Sequence, residues 1–460
     1  MSATILIAIL LIIAAFAYQT GRQRAFAVAG NKRSVLHSLP VYHGSFMLVW
    51  VLLPAIAVLG IWTAIQSTVV DFLVLDQLGP AYADLSLSDR NITLAEIHNL
   101  ASGDFNMDQA APEIAAAAEL HNHLSALGRW LSTAVVLGLA AAGFTLARRQ
   151  IGTRFRARQQ VERVVDVLML ACSVIAILTT IGIVLSLLFE ALRFFVRVPF
   201  YEFLFGLQWS PQTALRADQV GSSGAFGAIP LFAGTLLISF IAMMVAVPIG
   251  LFAAIYMAEF ADRRTRSIAK PVLEVLAGVP TVVYGFFAAL TVAPVFRGWG
   301  DAVGLDVSSE SALAAGMVMG IMIIPFVSSL SDDVINAVPQ SLRDGAYGLG
   351  ATKAETVTQI ILPAALPGIV GAILLAVSRA IGETMIVVMA AGLAANLTAN
   401  PLEAVTTVTV QITTLLVGDQ EFDSAKTLSV FALGLVLFIV TLCLNVVALK
   451  IVQKYRERYE

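Results

Sequence analysis

Nine separated runs of apolar residues, each at or near the length that crosses a bilayer, constrain this chain more than any other feature. A spanning helix needs roughly 20 mainly apolar residues. In hydrocarbon no water satisfies backbone N–H and C=O groups, so such runs fold as helices, whose hydrogen bonds are internal. The runs are Ala3–Tyr18, Phe46–Gln66, Leu131–Ala147, Val164–Phe189, Ile229–Met257, Pro271–Pro294, Ala312–Leu330, Pro367–Gly392 and Leu428–Leu449. The sequence therefore predicts an all-α integral membrane protein with about nine transmembrane helices. Composition agrees: 58% of the 460 residues are hydrophobic and 13% charged, against about 25% charged in soluble domains.

Basic residues orient the spans, because positive charge collects on the cytoplasmic side. Arg22, Arg24, Lys32 and Arg33 follow the first run; Arg148, Arg149, Arg154, Arg156, Arg158 and Arg163 follow the third. Arg263, Arg264, Arg266 and Lys270 follow the fifth, and Lys450, Lys454, Arg456 and Arg458 the last. All fall on one side when the N-terminus is extracytoplasmic and the C-terminus cytoplasmic. No Lys or Arg precedes the first apolar run, as one would in a signal peptide. Between the second and third spans, Asp71–Arg129 carries Asp71, Asp76, Asp84, Asp89, Glu96, Asp104, Asp108, Glu113 and Glu119 against only Arg90 and Arg129, which suits the outer side. Pro112 heads a short predicted helix there. The chain thus divides into residues 1–150, a three-span extension with an acidic insertion over about 71–129, and 151–460, a six-span core with a cytoplasmic loop over about 331–366.

Several functions are excluded. A net charge of −3 gives no general basic character, so no nucleic-acid partner is expected. Cys172 and Cys443 lie inside apolar runs, which argues against a disulfide framework or metal cluster. His121-Asn122-His123 has no further Cys or His close by in sequence, so no metal site is predicted. Gly221, Gly224 and Gly227 have a G-x-x-G-x-x-G spacing, but neither a preceding strand nor a following Gly-Lys-Ser/Thr, and read as a flexible re-entry. With no P-loop, HExxH or activated nucleophile, no catalytic residue and no cofactor is expected on this chain.

The polar stretch Ser341–Pro363 interrupts the C-terminal spans. Leu342, Ala346 and Leu349 share one face of a short predicted helix. Gly350 permits a turn, Thr352 through Glu355 has capping-box spacing, and Pro363 should end the second helix. A helix–glycine–helix hairpin between two spans suits a cytoplasmic piece that a soluble partner grips. Further on, Arg379 stands about 18 Å along the run from Pro367, near mid-membrane. A lone charge there costs about 2.5–3.5 kcal/mol, and Glu383, four residues on, can share its helix face and pair with it. An Arg at that depth also offers a planar fork of donors to an oxyanion, with Ser378 and Thr384 as flanking hydroxyls. Gly316 and Gly320 permit close approach of another helix, suggesting a permease–permease contact. Pro280 should kink its helix.

Asp344-Gly345-Ala346, Gly350-Ala351 and Leu362-Pro363 resemble the EAA loop of bacterial ABC-importer permeases, with Asp344 where Glu is usual and Gly345 where Ala is usual. The resemblance implies that these residues dock an ATP-hydrolysing subunit. SRAIGETM resembles the RAxGET segment of phosphate ABC-transporter permeases, as do AGVPTVVYGFFA and FLFGLQWSP, and Met385 is closer to the PstC-type subunit than to the PstA-type. This likeness covers about Val164 to the C-terminus; residues 1–150 carry no motif of the family. It implies a six-helix type I importer core in the bacterial cytoplasmic membrane, with Arg379, Glu383, Ser378 and Thr384 along the substrate pathway. The implied partners are a homologous PstA-type permease, two ATP-binding subunits, an extracytoplasmic phosphate-binding protein and membrane lipid. The expected function is ATP-driven import of inorganic phosphate. Import of another oxyanion (molybdate, sulfate, phosphonate) and a non-conducting sensor or scaffold that docks an ATPase are the alternatives.

Overall fold

The computed structural model describes residues 3–30, 35–78, 87–103, 111–211, 224–417 and 424–456. Lys32, Arg33, Asp84, Asp104, Asp108, Arg458 and the Gly221–Ser223 part of the glycine-rich segment lie outside the described residues. The described residues form helices almost throughout, nine of them long and apolar enough to span a membrane. They fall into two compact units, Met1–Ile177 and Leu178–Glu460.

The first unit contains α1 (Ala3–Val28), α2 (Pro40–Gln77), α3 (Leu87–Ser102), α4 (Pro112–Gln150) and the start of α5 (Ala157–Arg197). The six residues between α4 and α5, where the expected seam at 150/151 falls, are not helical. The short helix predicted at Pro112 proves continuous with the third span, because no glycine pair or proline interrupts the good helix formers that follow it. Glycines let the helices touch: a Cβ on Gly143 would lie 2.2 Å from the Trp50 carbonyl oxygen. Leu10, Met47, Val51, Val136 and Ala140 fill the core between α1, α2 and α4.

The second unit continues through α6 (Phe200–Phe205) and a two-stranded antiparallel pair, β1 (Trp209–Ser210) with β2 (Ala225–Phe226). Then come α7 (Ile229–Ile255), α8 (Arg263–Ala277), α9 (Thr281–Phe287), α10 (Ala293–Val303) and α11 (Ala312–Ala337). The chain ends with α12 (Gln340–Gly348), α13 (Lys353–Thr356), α14 (Leu362–Ile381), α15 (Met385–Ala390), α16 (Val408–Leu416) and α17 (Ala425–Arg456). The close pair α7–α11 is built on the two glycines expected to meet another permease. A Cβ on Gly316 would lie 2.7 Å from Ile241, and one on Gly320 2.8 Å from the Ala242 carbonyl oxygen. Both glycines therefore serve a contact inside this chain.

Four expectations about helix ends are corrected. Pro280 caps the start of α9 and separates it from α8, so it does not kink a single helix. The predicted span Pro271–Pro294 shifts to Thr281–Val303. It passes through Pro294, just as the helix entering α14 passes through Pro363, which was expected to end it. In both places a five-residue π-turn, Ala288–Val292 or Val357–Ile361, comes just before. Ala293 N–H bonds to Ala288 C=O and Leu362 N–H to Val357 C=O, five residues back. The wider turn moves away the carbonyl that the proline ring would strike in a regular helix. Finally, the expected span Pro367–Gly392 is two helices: α14 stops at Ile381, Gly382 to Thr384 form a turn, and α15 begins at Met385.

Candidate functional site

A cavity of about 350 Å³ lies among α8, α11 and the last turn of α14, with Lys270, Met322, Ser328, Asp332 and Arg379 in its wall. Met322 and Phe326 stand on either side of the midpoint of α11 (Ala312–Ala337), and the Arg379 guanidinium reaches both. Its Nη2 is 3.7 Å from the Met322 sulfur and its Cζ 5.9 Å from the centre of the Phe326 ring. The structure thus sets the Arg379 head group beside the middle of α11, although Arg379 itself lies in the last turn of α14. It does not bring Glu383 to it.

Because α14 ends at Ile381, Arg379 and Glu383 do not share a helix face, and among the described residues no carboxylate forms an ion pair with Arg379. Glu383 instead turns to the start of α15, where its Oε1 accepts from Met385 N–H at 3.1 Å and Ile386 N–H at 3.5 Å. A carboxylate suits those free N–H groups better than it suits open hydrocarbon. The Thr409 hydroxyl donates to the Glu383 carbonyl at 2.8 Å, which ties the turn to α16. Ser378 lends its carbonyl to Gly382 N–H, and the Thr384 hydroxyl donates at 3.5 Å to the Gly382 carbonyl. The four residues cluster along one break, but as turn-formers and a single open cation.

The other wall of the cavity escaped the sequence reading. Asp332, 1% exposed, accepts from Arg266 Nη2 at 3.0 Å to each carboxylate oxygen and from Lys270 Nζ at 3.1 Å. Donating to Asp332 holds the Lys270 ammonium above the usual lysine range. Ser328, fully buried, lines the cavity, and its hydroxyl has no hydrogen-bond partner. A buried hydroxyl without a partner costs about 1–3 kcal/mol unless a ligand or water meets it. The signal was present as a polar run, Ser328-Ser329 to Ser331-Asp332, closing an apolar span.

The polar hairpin forms largely as expected. Gly350 has φ +87°, in the left-handed region. Thr352 and Glu355 make both halves of the capping box: Glu355 N–H donates to the Thr352 hydroxyl at 3.3 Å, and Thr352 N–H to Glu355 Oε2 at 2.8 Å. Asp344 is exposed and accepts from Gln340 Nε2 at 3.1 Å, while Gly345 is exposed with nothing near a would-be Cβ. Ala346 is buried and turns inward; Ala351 N–H donates back to its carbonyl at 3.1 Å. Leu362 is half-buried and Pro363 exposed. Of the residues read as sharing one face, Ala346 is buried while Leu349 is 92% exposed and Leu342 is exposed too, as is Tyr347.

Neighbouring Arg343 carries an anchor that spacing could not reveal. Its Nε and Nη2 donate to Glu259 Oε1 at 3.1 and 2.9 Å, across 84 residues of chain. Nη2 also donates to the Ile335 carbonyl at 2.8 Å, and Nη1 to the Val338 carbonyl. Glu259 sits in the π-turn Tyr256–Phe260 that ends α7. The hairpin is therefore fastened to the ends of α7 and α11 by a buried ion pair, with Ala254, Ile335, Val357, Ile361 and Ala365 packed beneath.

Residues 246–457 match the family described as the binding-protein-dependent transport system inner membrane component, and residues 7–179 match a phosphate ATP-binding cassette transporter family. The probable ABC transporter permease YqgH of Bacillus subtilis is 32% identical over 273 residues, 59% of this chain and 84% of that protein. The phosphate transport system permease PstC of Haemophilus influenzae is 36% identical over 153 residues, 30% of this chain and 49% of that protein. Alignments to PstC proteins thus span about half of their length. Among solved structures, an inward-facing MetNI methionine ABC transporter aligns over 50% of this chain and 94% of its own at 17% identity, with a TM-score of only 0.37. The class is that of multi-pass transport permeases of the inner membrane. Within that class the chain belongs to the ABC transporter permease family. The match over 7–179 covers the N-terminal region, where no motif had been legible.

Proposed function

We propose that this chain is a transmembrane subunit of an ATP-driven importer of inorganic phosphate. The supporting observation is the cavity at the α14 break. It joins a guanidinium that forms no ion pair among the described residues to a buried hydroxyl that has no partner among them, in a wall that also carries Glu274 and Asp332. A tetrahedral oxyanion is a ligand that accepts from both, and an Arg fork suits it better than a point charge would. The Asp332–Lys270–Arg266 cluster sets two cations against one carboxylate and so also favours an anion, while Glu274 in the same wall limits how tightly it is held.

In this reading the hairpin 340–361 docks an ATP-binding subunit through exposed side chains such as Leu342, Tyr347 and Leu349. ATP hydrolysis takes place on that subunit, one of two. Its motion passes through the Arg343–Glu259 pair to the ends of α7 and α11, and the closely packed α7–α11 pair then moves as one body. A PstA-type second permease completes the pathway, and a phosphate-binding protein delivers substrate from the extracytoplasmic side, where the N-terminus also lies. Radiolabelled phosphate uptake in cells lacking this chain tests the reading. Wild type restores uptake and Arg379→Ala, assembled to the same level, does not. Restoration by Arg379→Ala removes the residue from the pathway. An uptake defect for sulfate or molybdate in place of phosphate changes the substrate, and assembly with ATP hydrolysis but no uptake of any oxyanion makes the chain a sensor.

A further inference from the structure

The first unit holds a polar cluster that transport does not use. Asp71 near the end of α2, His98 in α3 and His121 in α4 place one potential ligand atom each within 4.8 Å of one another. His98 Nε2 is 2.8 Å from Asp71 Oδ1, and the two imidazole rings are 4.9 Å apart. Packing fixes the meeting. Val70 and Ile97, the residues just before Asp71 and His98, are buried in one small core with Val74, Leu100, Ala117 and Ala118. The sequence reading considered His121 with His123; the fold instead brings His98 from α3 and leaves His123 exposed outside the group.

We propose that Asp71, His98 and His121 bind a divalent transition-metal ion of the zinc class. His121 carries the argument. Its Nε2 approaches Asp71 Oδ1 only to 3.9 Å, too long for a hydrogen bond, and its Nδ1 is buried with no partner. Nε2 faces the Asp71 carboxylate from beyond hydrogen-bonding distance, and an ion between the three groups bridges that gap. Ligand atoms about 2.0–2.2 Å from a tetrahedral ion stand about 3.3 Å from one another. The two separations from Asp71, 2.8 and 3.9 Å, bracket that value, and with all three atoms within 4.8 Å, side-chain rotations that draw the imidazoles together close the site. Two imidazoles select zinc, cobalt or nickel over magnesium or calcium, which prefer all-oxygen shells. A cavity of about 480 Å³, lined by His98, His121, Gln66 and Arg129 among others, opens beside the cluster and leaves room for water as the remaining ligand. The bound ion would join α2, α3 and α4, each of which supplies one ligand.

The test uses the full chain, purified without a histidine tag and stripped with chelator. Zn²⁺ is titrated by calorimetry against a competing chelator, and Co²⁺ by visible absorption. Wild type binds one equivalent, shows the strong visible bands of four-coordinate cobalt, and melts at a higher temperature with Zn²⁺ but not with Mg²⁺ or Ca²⁺. His98→Ala and His121→Ala each weaken binding by about tenfold or more. His123→Ala leaves it unchanged. His98 is 44% exposed, so its variant is expected to melt, without metal, at the wild-type temperature, which separates lost ligation from lost fold. Absence of a stoichiometric site in wild type overturns the proposal. So does binding that survives His98→Ala and His121→Ala.

Discussion

Arg343 and Arg379 belong to the same unit and both lie against α11, yet they are treated in opposite ways. Arg343 is 7% exposed and spends its donors on Glu259 and two carbonyls. Arg379 meets a thioether and an aromatic face, contacts that leave its guanidinium open to the cavity. A buried charge with a full set of acceptors holds structure, and removing it strands the partner charge. A charge that the protein leaves without a counter-ion is available to a ligand. In the proposed function the contrast separates a coupling joint from a pathway.

The sharpest way to break this contrast is to remove each arginine and measure stability and uptake together. Arg343→Ala leaves Glu259 buried and unpaired, at a cost of about 3–5 kcal/mol. The purified complex should melt at a clearly lower temperature, and adding Glu259→Gln should recover much of the loss. Next in size, Arg379→Ala should leave the melting temperature near wild type while lowering phosphate uptake at least about tenfold, the scale of a charged hydrogen bond. Arg379→Lys should retain part of the uptake, since the charge remains without the fork. Equal loss of stability in the Arg343 and Arg379 variants would erase the distinction. Ser328→Ala removes a hydroxyl that bonds to nothing in the ligand-free chain, so stability should hold or rise slightly. Uptake at limiting phosphate should fall severalfold, for about 1 kcal/mol. Smallest is Gly345→Ala. Nothing lies within 4 Å of the new methyl, so α12 should gain about 0.5–1 kcal/mol, seen as a small rise in melting temperature with uptake unchanged.

What could be read from the sequence was what short-range physics decides. Runs of about 20 apolar residues gave the spans, and Gly350 and the Thr352–Glu355 box gave the hairpin. What could not be read depended on partners distant in the chain. Nothing near Arg343 announces Glu259, 84 residues earlier, and nothing near Gly316 says that Ile241 fills the space a side chain would need. Arg379 was found because charge at that depth is costly wherever its neighbours lie, but its pairing with Glu383 was inferred from helical spacing. That inference failed at Gly382, a weak helix residue followed by a carboxylate that caps the next helix. The prolines misled in the same way, since a rule that holds for regular helices does not allow for a widened turn before the ring.

Those widened turns have a mechanical consequence. A π-turn is a helix holding one residue more than its length requires. Absorbing that residue into the regular ladder rotates everything beyond it by about 100° and lengthens the rod by about 1.5 Å, with few backbone bonds lost. One such turn, Tyr256–Phe260, carries Glu259, and another, Val357–Ile361, joins the hairpin to α14. The hairpin is thus flanked on both sides by a screw thread with slack in it, which would let a push on it emerge as a twist of the helix whose last turn carries Arg379.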